Sequence, residues 1–137
     1  MREYTPAVFP IVAAMEKKMP FQYVTSTVSA LDGDGIVVHV LNHSTALRHV
    51  RVQIFLNTGA GASQVADSGT VNVTAMWQWG LGYTVGSSGE HWVRIEADKD
   101  VLIPKVSFER STGGTWVPFA AYTPGDFAVF KSGQRLW

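Results

Sequence analysis

The chain has 137 residues, with 11 basic side chains balanced by 11 acidic ones and no cysteine. Charged residues make up only 16% of it, hydrophobic residues 46% and aromatics 12%, where soluble proteins carry about 25% charge. This composition excludes a disordered tail, disulfides, thiolate catalysis and Cys-ligated zinc, and argues against nucleic-acid binding through bulk charge.

The length suits one domain. The N-terminus, MREYTPAVFPIVAAMEKKMP, matches a signal peptide poorly, because Pro10 breaks its short apolar run. No apolar run approaches the roughly 20 residues of a membrane helix. These points, with the missing cysteine, lead to an expected cytoplasmic location.

In chain order, residues 1–20 are read as an N-terminal helix or an extended arm. Thr5 can cap a helix, Ala13, Ala14, Met15 and Glu16 favour one, and Met19-Pro20 would end it. The rival reading docks Val8, Phe9, Ile11 and Val12 on a neighbour. From residue 21 the hydrophobic period becomes two. Phe21–Ser29 reads as a strand, and the Asp-Gly pairs of Leu31–Gly35 as a turn. Ile36–Asn42 is the next strand. Leu47–Asn57 alternates most clearly, with Val50, Val52, Ile54 and Leu56 on one face and His49, Arg51, Gln53 and Phe55 on the other.

The Gly/Ala/Ser-rich stretch from Thr58 to Gly69 reads as a loop, and Thr70–Trp77 as a strand with Val71, Val73 and Ala75 inward. Trp77–Val85 is less regular, its glycines suggesting a bulge or bend. His91–Ala97 and Val101–Arg110 form a hairpin around Asp98–Asp100. Thr115–Tyr122 and Phe127–Lys131 follow, and residues 132–137 form a tail. About eight strands at this spacing predict an all-β fold, a single antiparallel β-sandwich of jelly-roll or immunoglobulin-like type spanning residues 21–131.

Little in the sequence carries chemistry. His39, His43, His49 and His91 lack the helical spacing of a metal motif. Asp32 and Asp34 lack the further ligands of a calcium loop, so a turn accounts for them. There is no nucleophile elbow and no phosphate-binding glycine loop. Arg94, Glu96, Lys105 and Glu109 read as outward-facing partners in cross-strand ion pairs. No catalytic residue, metal or cofactor is therefore assigned, and the chain is not expected to be an enzyme.

The aromatic residues are more telling. Trp77, Trp79 and Tyr83 cluster in a glycine-bearing segment, and Trp92 and Trp116 alternate with inward residues. These five are the candidate ligand or interface residues. Core packing, a subunit interface and a platform for sugar rings or bases are the competing readings.

The chain from Ile36 to Tyr122 resembles the sensory rhodopsin transducer family of small bacterial proteins. The residues that carry this are IVVHVLNHSTALRHVRVQIFL, HWVRIEADKDVLIPKVSFER and the return strand through Ala120-Ala121-Tyr122. The resemblance implies a β-sandwich, a homotetramer, and in one branch a signal relayed from a membrane photoreceptor. It implies no functional residue here. The expected function is thus that of a non-catalytic signalling or adaptor protein, partnered by copies of itself and by a membrane receptor. The alternatives are a carbohydrate-binding module built on its tryptophans, and a structural component of a phage or surface assembly.

Overall fold

The computed structural model describes residues 19–99 and 102–131. Its strands in chain order are β1 (Phe21–Val24), β2 (Val28–Ala30), β3 (Gly35–Asn42), β4 (Arg48–Thr58), β5 (Gly61–Asp67), β6 (Val71–Val73), β7 (Gln78–Thr84), β8 (Gly89–Ala97), β9 (Leu102–Thr112), β10 (Thr115–Tyr122) and β11 (Ala128–Phe130). One short 3₁₀ turn, Pro124–Asp126, links the last two. The candidate N-terminal helix or arm falls almost wholly outside the described residues, and the tail at 132–137 entirely so.

The strands form two antiparallel sheets. The larger runs β11-β1-β8-β4-β5, with β2 also on β8 and β6 also on β4, and the smaller runs β10-β9-β3-β7. The expectation of about eight strands is corrected to eleven segments among the described residues: Phe21–Ser29 divides into β1 and β2, the expected loop at Thr58–Gly69 holds β5, and the irregular Trp77–Val85 stretch holds β7. β1 and β2 lie end to end along one side of β8, opposite Arg94–Ala97 and Gly89–His91 respectively. Thr25 bridges the break: its amide donates to Val93 O at 3.0 Å, and its hydroxyl accepts from Val93 N at 3.0 Å. β5 and β6 divide the far side of β4 in the same way.

Period-two alternation fills the space between the sheets. Val50, Val52 and Ile54 of β4 and Val93, Ile95 and Ala97 of β8 meet Ile36, Val38 and Val40 of β3 and Val106 and Phe108 of β9, all fully buried. Each such Val, Ile or Phe contributes about 1.5–3 kcal/mol by leaving water. The stretch expected as a loop at Thr58–Gly69 instead contains β5. It is an edge strand of which only Val65 and Ala66 pack against the core, the other residues being exposed. The strand expected over Thr70–Trp77 shortens to β6, and the chain turns at Thr74–Trp77 through a Trp77 N to Thr74 O bond of 3.0 Å.

Candidate functional site

Among the described residues, the surfaces that carry exposed aromatic or polar groups include the outer face of each sheet and the flank where β10 and β11 end the two sheets.

On the larger sheet, outward residues of β4 and β8 form a hydrogen-bonded network with β5. Arg94 donates to Gln53 Oε1 at 2.6 and 3.1 Å, and Gln53 donates to Gln64 at 2.8 Å. Arg51 clamps Asp67 in a two-bond fork, and these bonds hold the Asp67 carboxyl below its usual range despite the opposing effect of burial. Trp92 stacks on Phe55 with centroids 4.2 Å apart and planes at 14°, while the Arg94 guanidinium sits 5.1 Å from the Phe55 centroid. The indole N–H of Trp92 donates to Asn57 at 3.0 Å. Glu96 departs from its expected exposure: it faces outward by register with Arg51, yet is only 1% exposed. Its Oε2 lies 3.6 Å from Arg94 Nε, and its Oε1 has no hydrogen-bond partner. The expected ion-pair group is also divided, since Lys105 and Glu109 lie on β9 in the other sheet.

On the smaller sheet, register brings distant residues side by side. His39 on β3 lies beside Lys105 on β9, Val37 beside Ser107, and Gly35 beside Glu109. On the other side of β3, Gly80 and Gly82 lie opposite His39 and Val37, so no side chain rises there. Ser107 Oγ donates to Glu109 at 3.2 Å, and the Gln78 amide lies 2.8 Å from His39 Nδ1. Trp116 crosses from β10 onto β3, and its ring would stand 3.4 Å from a Cβ at Gly35. Two depressions of about 290 Å³ each open on this face. They share Val37 and Glu109. One extends to Trp116 and Thr84, the other to His39, Lys105 and Pro118.

At the flank, Val117 and Phe119 of β10 and Val129 and Phe130 of β11 are exposed by 39–48%. Val129 pairs with buried Tyr23, so it sits on the core side of its sheet and still meets solvent. Phe119 packs against buried Phe108 with centroids 6.4 Å apart and planes tilted by 59°. Among the described residues, both sheets thus end here on edge strands with one neighbour each, and Val129 on the core side still meets solvent. Pro118 and a register shift between Pro118 and Ala120 are the devices that interrupt this edge.

The five aromatic candidates do not form one platform. Trp79 and Tyr83 point inward against the core. Trp77 stands 66% exposed at the turn before β7. Trp92 belongs to the larger sheet's outer face and Trp116 to the smaller one's. The histidines are equally scattered. His91 is buried and bonds Gly89 O at 3.0 Å, and His49 Nδ1 meets Asp98 at 2.8 Å. Among the described residues, no three His, Asp or Glu side chains gather as metal ligands do.

No family model matches the chain, and no curated protein matches it. Among solved structures, the crystal structure of Thermotoga maritima 1070 matches with a TM-score of 0.55, over 78% of this chain and 93% of that one. The two sequences share 7% identity, so the likeness is one of fold: an all-β, two-sheet protein like a bacterial one.

Proposed function

We propose that the chain is a non-catalytic binding domain that works as a homo-oligomer, in the manner of a signalling adaptor. The observation that carries this is the open flank, where Val117, Phe119, Val129 and Phe130 remain exposed on the two strands that end the sheets among the described residues. Pro118 and the register shift interrupt backbone pairing along β10, so a contact here rests on the exposed apolar side chains rather than on added strand hydrogen bonds. β10 reads TWVPFAAY and β11 reads AVF, so neither strand carries a charge. Two identical copies then meet there without like-charge repulsion, and burial of the four side chains drives the contact.

The adaptor reading, with a jelly-roll or immunoglobulin-like sandwich, a tetramer, a bacterial cytoplasmic setting and a membrane receptor as upstream partner, draws its support from the resemblance over residues 36–122. Size-exclusion chromatography with light scattering tests the oligomer. A discrete multimer is expected at micromolar concentration, and Phe119→Glu should convert it to monomer with the fold retained by circular dichroism. A wild-type chain that is strictly monomeric overturns the proposal, as does a multimer that Phe119→Glu and Val117→Lys both leave intact.

A further inference from the structure

The flank leaves the outer face of the smaller sheet unused, and that face has the makings of a ligand site. Its two depressions meet at Glu109 and are walled at one end by Trp116. Small-molecule sites combine an apolar or aromatic wall with a few placed polar groups, and both are present here.

The polar groups define what fits. Gln78 donates to His39 Nδ1, which leaves the ring proton on Nε2 as a donor. The Lys105 ammonium adds donors beside it. Glu109 has one oxygen engaged by Ser107 and the other available as an acceptor. Donors and a charged acceptor therefore alternate across two strands, and Lys105 offsets Glu109 in charge. An anion would meet the Glu109 carboxylate at the junction of both depressions, and a cation would meet Lys105. A ring bearing several hydroxyls satisfies both, because each hydroxyl donates and accepts, and bonds to Lys105 and Glu109 are charge-assisted. The apolar C–H face of such a ring suits the exposed side of an indole. Gly80 and Gly82 leave the sheet bare on the β7 side, so a flat ligand can approach the backbone of β3 and β7.

We infer that the outer face of the four-stranded sheet binds a neutral sugar ring, with Trp116 as its stacking wall and Glu109 as the acceptor for its hydroxyls. This stands independently of self-association, because neither Trp116 nor Glu109 is needed at the flank.

Tryptophan fluorescence titrations with glucose, galactose, mannose and N-acetylglucosamine, backed by a glycan array, test it on the full chain. Saturable binding of at least one sugar is expected. Trp116→Ala should weaken it about tenfold or more, the loss typical of a removed stacking partner. Glu109→Gln, which keeps the size of the side chain, should weaken it about fivefold or more, as loss of a charge-assisted bond predicts. Trp77→Ala and Trp92→Ala, which alter other surfaces, should bind as wild type does. Circular dichroism establishes that each variant is folded. Should Trp116→Ala fail to fold, Glu109→Gln decides alone. The inference is overturned if no sugar binds saturably, if binding survives both Trp116→Ala and Glu109→Gln, or if inorganic phosphate or benzoate displaces the sugar and binds more tightly.

Discussion

Arg110 holds Asp34 in a two-bond fork, Nε to Oδ1 at 3.0 Å and Nη2 to Oδ2 at 2.8 Å. The pair ties the turn before β3 to the far end of β9. Asp34 Oδ2 also accepts from Leu31 N at 2.8 Å, and the Arg110 guanidinium lies 4.6 Å from the Phe119 centroid. One buried carboxylate therefore fixes a turn, a strand end and an aromatic at the open flank.

This geometry predicts a pH dependence. The bond from Arg110 lowers the Asp34 carboxyl below its usual range, and it prevails over burial, which acts the other way. A lowered folded-state pKa contributes stability above the unfolded value of about 3.9, and that contribution is lost as the pH falls through the folded value. Urea unfolding of wild type and Asp34→Asn should differ most near pH 7, with wild type the more stable. The gap should close at pH values below about 4. A gap that is constant across this range refutes the assignment.

Asn42 closes the corner between β3 and β6. It is fully buried. Its amide donates to Ala46 O and Val73 O, both at 2.9 Å, and its oxygen accepts from Ser44 N at 3.0 Å and Ser44 Oγ at 2.7 Å. Asn42→Ala should cost about 2–4 kcal/mol, since it strands buried backbone carbonyls and an amide. Asn42→Asp should cost more at pH 7, because it turns a carboxylate oxygen toward two carbonyl oxygens, and acid should narrow the difference. Urea midpoints at pH 7 and pH 4 check both points.

The pattern of successes follows from which strands have a core behind them. β3, β4, β8 and β9 alternate because one face of each is buried, and the sequence shows that directly. β5 does not alternate, because only the adjacent Val65 and Ala66 reach the core and its other residues are exposed, so Gly61–Asp67 has the composition of a loop. β7 does obey the rule, but in disguise. Trp79, Leu81 and Tyr83 form its inward face, and its outward positions are Gln78, Gly80, Gly82 and Thr84. Its glycines look like breaks until the outward face is recognised as a glycine floor. The polar row of the smaller sheet joins His39 to Lys105 and Val37 to Ser107 across 66 and 70 residues of chain, and alternation carries no register between strands so far apart. Trp116 was legible as outward-facing; its contact with Gly35 was not.

Glu96 lies on the outer face of the larger sheet but is nearly inaccessible, with Oε1 unbonded. Burying a carboxylate costs free energy that a 3.6 Å approach to Arg94 and the attraction of the neighbouring Arg51 repay only in part. Arg94 keeps its bonds to Gln53 without it. Glu96→Gln should therefore leave stability at pH 7 within about 1 kcal/mol of wild type or raise it. A loss above about 2 kcal/mol in urea unfolding would show that the charge is a net stabiliser.

Gly89 opens β8 at φ +152°, and a Cβ placed there would stand 2.8 Å from Leu56 Cδ1. Two separate costs follow for Gly89→Ala. The backbone region is one that side chains rarely adopt, and the methyl group collides with a leucine. Together they should destabilise the fold by about 1–3 kcal/mol. The two costs separate in a double-mutant cycle with Leu56→Ala. Removing the leucine tip relieves the collision but not the backbone strain, so the double variant should lose less than the sum of the singles, while still being less stable than Leu56→Ala alone. Strict additivity would place the whole cost in the backbone. Complete recovery to the stability of Leu56→Ala would place it all in the collision.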